Sequence, residues 1–126
     1  MTRVAGVVPN GPAPGCPYSA SARIGRHVAV AGQCGYLPDR SPAQGVTEQT
    51  RLALRNLAAA LRAVGASADD VIAVQAFLTD TDDFDEFNAV YAEFFAEPYP
   101  ARTTVCCGLR PGVLVEVSAW AVTGEP

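Results

Sequence analysis

Lysine is absent from this 126-residue chain, and histidine occurs only once. All nine basic residues are arginines, which excludes a lysine Schiff-base mechanism and the phosphate-binding lysine of P-loop proteins. No Ser, Asp or second metal ligand is patterned with His27, so the sequence predicts neither a catalytic triad nor a metal site at this histidine. Several common kinds of covalent and metal-dependent catalysis are thereby excluded.

Long apolar runs and excess positive charge are also missing. No stretch approaches the ~20 apolar residues of a membrane-spanning helix, and residues 1–9 lack the apolar length of a signal peptide. The net charge is -4 and the isoelectric point about 4.8, so no broad basic surface is expected to attract nucleic acid or an anionic membrane. We therefore expect a cytoplasmic protein that binds neither nucleic acid nor membrane.

The four cysteines do not form a zinc-binding pattern, because the sequence contains no Cys-x-x-Cys pair and no accompanying histidine cluster. In a reducing compartment their thiols are expected to be free. Cys106 and Cys107 fall in a predicted strand, and we interpret them as small buried hydrophobic residues. No metal or other cofactor is predicted.

The composition indicates one folded domain over residues 1–126, beginning with a turn-rich segment at 1–16. Hydrophobic residues make up 49% of the chain and charged residues 17%, which leaves apolar surface to spare for an oligomer. The chain alternates strand and helix patterns, with Gly65 as the predicted cap of the first helix. The predicted elements are strands at 19–24 and 27–33, a helix at 47–64, a strand at 71–79, a second helix that is capped by the segment 81–86 and runs to about 95, and strands at 101–107 and 113–122.

This order, β-β-α-β-α-β-β, predicts an α+β fold with one mixed sheet and two helices packed on one of its faces. The other face has an apolar pattern and is expected to be covered by a second subunit. The last two strands read as a hairpin whose turn lies near Arg110. Glu116 would then lie opposite Thr104 and diagonal to Arg102, as a structural ion pair or as two sides of one small pocket.

Two further polar residues stand out against apolar surroundings. Asn88 lies among the aromatic residues of the second helix, where its amide must find hydrogen-bond partners in the protein or in a ligand. Tyr18 follows the Pro-rich segment, and a tyrosine in such a position is more often a packing residue than a site residue. Neither pattern decides between structure and function.

Several motifs, in order and spacing, resemble the RidA/YjgF family of enamine/imine deaminases, from about Pro17 to Val122. The individual motifs are short, but their shared order is specific. They are Pro17-Tyr18-Ser19, Ala31-Gly32-Gln33, Gln49-Thr50 with Asn56-Leu57, Phe84-x-x-Phe87-Asn88-x-x-Tyr91-x-x-Phe94-Phe95, Pro100-Ala101-Arg102-Thr103 and Val115-Glu116-Val117.

The resemblance implies a chorismate-mutase-like fold and a homotrimer with active sites between subunits. It implies hydrolysis of 2-imino acids to 2-oxo acids and ammonia without a cofactor. Arg102 would bind the substrate carboxylate, and Glu116 would orient or activate the attacking water. The remaining pocket residues implied at matching positions are Tyr18, Gly32, Asn88 and Thr104.

The chain departs from the family pattern at Ala31, where many members have serine, and at Thr104, where cysteine is common. The connection between Arg102 and Glu116 is also one residue shorter than in familiar members. These differences bear on substrate preference, so an enzyme specialised for a different imine remains an alternative. The other alternative is a non-catalytic trimer that binds 2-oxo acids in the same cleft. Ribonuclease activity is sometimes attributed to the family, but this sequence predicts no basic groove and contains no pair of histidines.

Overall fold

The computed structural model describes residues 1–124, which form one six-stranded sheet and two α-helices. Short 3-10 turns at 68–70 and 81–83 precede the fourth strand and the second helix. No helix within residues 1–124 is long and apolar enough to cross a membrane. The elements are β1 (Val4–Gly6), β2 (Ser21–Ile24), β3 (His27–Cys34), α1 (Gly45–Arg62), β4 (Val71–Leu78), α2 (Phe84–Phe94), β5 (Ala101–Cys106) and β6 (Val115–Val122).

The strand order in the sheet is β1-β2-β3-β6-β4-β5. β4 and β5 are parallel because α2 connects them as a crossover, whereas every other pair is antiparallel. The mixed sheet with two helices was predicted correctly. β1 was not predicted, and it forms a short outer strand beside β2.

The predicted hairpin between the last two strands is wrong. β6 lies between β3 and β4, so β4 separates it from β5. Glu116 is paired with Cys34 and Phe77 instead of Thr104, which is paired with Ala76. The apolar run around Glu116 explains this position, because a central strand buried on one face by helices and flanked on both sides suits it better than an outer hairpin.

The hydrophobic core lies between the sheet and the two helices. Leu54, Leu57 and Leu61 form the predicted apolar stripe of α1 and are buried. The helix ends before Gly65, whose φ of +79° is the left-handed conformation that glycine adopts readily. Hydrogen bonds from the amides of Gly65 and Ala66 to α1 carbonyls complete this predicted cap.

The opposite face of the sheet, which we call the open face, is not covered by any element within residues 1–124. On β6, Val115, Val117 and Ala119 are buried, whereas Trp120 on the alternate side is 55% exposed. Val105 of β5 is also exposed on this face, beside half-buried Phe77. The expected uncovered apolar face is therefore present.

The interpretation of Cys106 and Cys107 as buried residues is wrong. Both are exposed, because β5 is an outer strand and Cys107 lies beyond its end. Cys16 is also exposed, and Cys34 is half-buried on the open face. All four thiols are free, as expected.

Candidate active site

Glu116 projects from the centre of the open face. Its neighbours Val115 and Val117 turn toward the helices, so the alternation of the strand directs Glu116 to the other side. The residues paired with it on the adjacent strands are Cys34 and Phe77. A half-buried carboxylate is thus held in the middle of a largely apolar surface.

Gly32 makes room for this carboxylate. The pairing of β3 with β6 shifts register between Val30 and Gln33, and Gly32 lies at that irregularity. A Cβ at position 32 would lie 2.8 Å from Glu116 Cδ and would collide with Oε2. The absence of a side chain therefore allows the carboxylate to lie directly over the β3 backbone.

Cys34 contacts the same carboxylate. Its thiol donates a hydrogen bond to Glu116 Oε1 at 3.4 Å. Burial, followed by the negative charge of Glu116 and this hydrogen bond, raises the pKa of the thiol from 9.0 to about 12, while the charge of Arg110 acts in the opposite direction. At neutral pH Cys34 is therefore a protonated donor to Glu116 and not a thiolate nucleophile.

A cleft of about 520 Å³ opens beside Glu116 on this side of the sheet. Tyr18 and Gly32 line it with Glu116, so three of the predicted site residues lie together. Asn56 supports its wall by donating a hydrogen bond from Nδ2 to the carbonyl of Cys34 at 2.9 Å. Tyr18 is 60% exposed, which leaves its ring accessible to a ligand.

Two arginines of this cleft, Arg40 and Arg110, were not predicted as site residues. Arg40 belongs to the loop between β3 and α1, and Arg110 to the connection between β5 and β6. In sequence both stand in turn-rich segments, where a charged residue is ordinarily exposed to solvent. Only the folded loops show that the two side chains share a cleft with Glu116.

Arg102 lies on the helix face of the sheet, opposite to Glu116. It is paired with Val74, which is fully buried beneath the helices. Its Cζ lies 4.6 Å from the ring centroid of Tyr91, 5.3 Å from that of Phe87 and 5.6 Å from that of Phe84. The guanidinium is thus held against three aromatic rings of α2.

The hydrogen-bonding capacity of Arg102 is unused within residues 1–124. None of these residues accepts a hydrogen bond from its guanidinium or forms an ion pair with it. The neighbouring Tyr91 hydroxyl is buried and likewise has no hydrogen-bond partner in this part of the chain. A half-buried guanidinium with free planar donors is suited to bind a carboxylate.

Asn88 and Thr104 belong to the same side of the sheet as Arg102. Asn88 lies on α2 between Phe84 and Tyr91, is half-buried, and makes no side-chain hydrogen bond to residues 1–124. Thr104 follows Arg102 by two residues on β5 and so faces the same way. The alternative was that Asn88 ties α2 to a backbone carbonyl, but no carbonyl of residues 1–124 accepts a hydrogen bond from its side chain.

The six predicted site residues therefore form two groups on opposite faces of one sheet. Tyr18, Gly32 and Glu116 line the open-face cleft, and the other group comprises Arg102, Asn88 and Thr104. The predicted same-face pairing of Arg102 and Glu116 within one chain is wrong, because it depended on the hairpin register.

The fold and cleft define a small α+β protein with candidate site residues on both sides of a mixed sheet. The family model described as Endoribonuclease L-PSP matches residues 8–123. The chain belongs to this family, which is the RidA/YjgF family. The fold and the family expected from the motifs are thus confirmed.

Individual relatives support the same assignment. The chain is 31% identical to human 2-iminobutanoate/2-iminopropanoate deaminase over 123 residues, covering 94% of this chain and 90% of the human one. It is 40% identical to the mitochondrial protein mmf2 of Schizosaccharomyces pombe over 97 residues, 77% of each chain. The crystal structure of Escherichia coli TdcF with bound serine superposes with a TM-score of 0.88 at 32% identity, covering 96% of this chain and 99% of TdcF.

Proposed function

We propose that this protein hydrolyses 2-imino acids, or the enamines in equilibrium with them, to 2-oxo acids and ammonia. The observation that carries the proposal is the free guanidinium of Arg102, which extends from β5 against the aromatic rings of α2, together with the half-buried carboxylate of Glu116. The similarity to the human deaminase supports this reaction. We also propose a cytoplasmic location, although the fission-yeast relative is named as mitochondrial.

The proposed site is completed by assembly into a homotrimer. Because Glu116 and Arg102 lie on opposite faces of one sheet, a single chain cannot bring them to the same substrate. The exposed open face around Trp120 supplies an apolar surface for a neighbouring subunit. Each cleft would join the Glu116 group of one subunit to the Arg102 group of the next.

The chemistry requires binding, orientation and one proton relay. Arg102 would bind the substrate carboxylate through two parallel N–H donors. Glu116 would accept a proton from water as the water oxygen attacks the imine carbon, giving a tetrahedral carbinolamine. Glu116 then gives this proton to the amine nitrogen and takes the proton of the carbinolamine hydroxyl as the C=O bond forms, the C–N bond breaks and ammonia leaves.

The other residues would shape the pocket around this reaction. The backbone at Gly32 and the side chains of Tyr18, Asn88 and Thr104 would orient the imine. Arg102 stacked on aromatic rings has few alternative positions, so the carboxylate clamp is pre-organised. A protonated imine is already electrophilic, and the proposed reaction uses no cofactor.

The test is to generate 2-iminopropanoate in situ and to follow its decay with wild-type protein, Arg102→Ala and Glu116→Gln. We expect clear acceleration by wild type and at least a ~100-fold loss in kcat/KM for each variant, because each removes a charged group in contact with the reacting molecule. Arg62→Ala, an exposed change at the end of α1, is the matched control and should keep wild-type activity.

A non-catalytic ligand-binding trimer is the second candidate, and the serine bound in TdcF favours keeping it. It predicts that the wild-type protein accelerates no imine hydrolysis but binds 2-oxobutanoate in an Arg102-dependent manner. Loss of trimer assembly in Glu116→Gln would instead indicate a structural role for that carboxylate. The family description names an endoribonuclease. The single histidine, His27, is exposed and the net charge is negative, and both features argue against a ribonuclease site.

A further inference from the structure

Two guanidinium groups converge on the cleft that contains Glu116. Arg110 lines it from the connection between β5 and β6. Its positive charge acts to lower the pKa of the Cys34 thiol, which lies next to Glu116. Arg40 lines it from the loop between β3 and α1 and donates one hydrogen bond from Nη2 to the Gly11 carbonyl at 3.1 Å. Neither arginine forms an ion pair with any of residues 1–124.

The charge of this cleft is opposite to that of the molecule. The whole chain carries a net charge of -4, but the cleft has two arginines and one carboxylate among its lining residues. Concentrated positive charge in a concave site attracts anions more strongly than the same charge on a convex surface. Arg102 is already assigned to the carboxylate that every 2-imino acid carries. A substrate with no other charged group would therefore have nothing to pair with Arg40 and Arg110.

The backbone at Arg40 reinforces the view that this cation is fixed in place. Arg40 is the one non-glycine residue of positive φ, at +68°, among the described residues. The turn that contains it is held by hydrogen bonds from the Leu37 amide to the Ser41 carbonyl and from the Arg40 amide to the Leu37 carbonyl, both 2.8 Å. The turn therefore holds the backbone of Arg40, and one hydrogen bond to the Gly11 carbonyl orients its exposed side chain.

The cleft of the single chain, into which the next subunit would bring its Arg102 group, is also larger than a small substrate needs. A cleft of about 520 Å³ falls within the ~300–1,000 Å³ typical of sites for considerably larger ligands than 2-iminopropanoate. Its walls are polar where the two arginines and Asn56 contribute. A longer substrate with a charged end would use this region, whereas an alkyl side chain would leave both cations unpaired.

We propose that the preferred substrate is a 2-imino acid with a second carboxylate at the end of its side chain. This inference rests on the proposed function. Arg102 of one subunit would bind the carboxylate next to the imine, and Arg110 would bind the distal carboxylate, assisted by Arg40. The reaction that supplies such a substrate must produce an imine from an acidic amino acid.

The inference is tested first by binding, which requires no turnover. Calorimetric titrations of the assembled protein with 2-oxoglutarate and with 2-oxobutanoate compare a dicarboxylate with a monocarboxylate of the product class. We expect 2-oxoglutarate to bind at least ~10-fold more tightly, since a charge-assisted hydrogen bond contributes on the order of one tenfold step in affinity. Arg110→Gln should remove most of this preference, and exposed Arg62→Gln should leave it intact.

A kinetic comparison then separates this inference from the proposed function. The imines of glutamate and of 2-aminobutanoate, generated in situ by amino-acid oxidation, should show the same Arg110-dependent preference in kcat/KM. Equal affinity and equal kcat/KM for both chain types, or an equal loss for both in Arg110→Gln, would overturn the dicarboxylate proposal while leaving the deaminase standing. Hydrolysis of neither imine, with the binding preference retained, would overturn only the deaminase.

Discussion

At the scale of single residues, the position of the Glu116 carboxylate depends on the absence of a side chain at Gly32. The carboxylate occupies the space that a Cβ at position 32 would need. Since Gly32 is exposed and has no positive φ, an alanine there strains neither the core nor the backbone. The expected consequence of such a change is confined to the orientation of Glu116.

We predict that Gly32→Ala lowers kcat for imine hydrolysis by about 10- to 100-fold, because a small displacement of a catalytic group is costly. The free energy of unfolding should change by less than about 1 kcal/mol, as is usual for surface substitutions. Steady-state kinetics and denaturant titration measure the two effects. Gly108→Ala is the control, since a Cβ there contacts nothing within 4 Å. Unchanged kcat in Gly32→Ala would contradict the role given to Glu116.

The Cys34 thiol reports on the same carboxylate. Its pKa is raised to about 12, so alkylation by iodoacetamide, which needs the thiolate, should increase only toward that pH, whereas an ordinary thiol responds near 9.0. In Glu116→Gln the midpoint should fall, because the neighbouring negative charge that opposes ionisation is gone. Peptide mapping by mass spectrometry resolves Cys34 from the other cysteines. The same midpoint in the wild type and in Glu116→Gln would refute the contact between Cys34 and Glu116.

The same shift makes stability depend on pH. The folded protein holds the Cys34 proton more tightly than the unfolded chain, so the contribution of this group is complete below pH 9 and is lost as the pH rises toward 12. Comparison with Cys34→Ser isolates this contribution, because serine does not ionise in that range. The difference in unfolding free energy between the two proteins should shrink over this interval.

At the scale of elements, one buried amide joins α1 to two loops. Gln49 donates hydrogen bonds from Nε2 to the carbonyls of Ala43 at 3.0 Å and Gly112 at 2.9 Å, and its Oε1 accepts one from the Leu114 amide at 2.7 Å. The second loop leads directly into β6. Gln49 therefore positions the start of the strand that carries Glu116.

We predict that Gln49→Ala lowers the free energy of unfolding by about 2–4 kcal/mol, since it removes three hydrogen bonds and leaves their backbone partners without them. Denaturant titration at a fixed protein concentration provides the measurement, because the proposed assembly would add to the apparent stability. Gln44→Ala removes an exposed glutamine just before α1 that makes no capping bond and should have little effect. Equal stability of both variants would show that the amide does not join these elements.

The elements themselves were largely predictable from sequence, whereas their neighbours in the sheet were not. The stripe of Leu54, Leu57 and Leu61 and the cap at Gly65 are local signals, and they placed α1 within two residues of its ends. Pairing of β6 with β3 and β4 depends on contacts between residues distant in sequence. The motif resemblance supplied Arg102 and Glu116, but their location on opposite faces required the sheet order.

At the scale of the whole molecule, the separation of these two residues explains why the protein would need its oligomer for activity. Arg102 faces the helices and Glu116 faces the open side, so in the proposed function each chain would present two incomplete half-sites. In a cyclic trimer, the same heterologous contact repeats three times and joins unlike halves at every interface. Assembly and catalysis are then inseparable.

This arrangement predicts that two inactive variants restore activity when they share a trimer. In any mixed trimer of Arg102→Ala and Glu116→Gln chains, one interface of the three joins an intact Arg102 to an intact Glu116. Every trimer that contains both variants should therefore have about one third of wild-type activity per chain. Co-expression of the two variants with different affinity tags, sequential purification and an imine-hydrolysis assay make the measurement, with co-purified Arg102→Ala chains of both tags as the control. Mixed trimers as inactive as this control would mean that each site draws both residues from one subunit, against the opposite faces on which the fold places them.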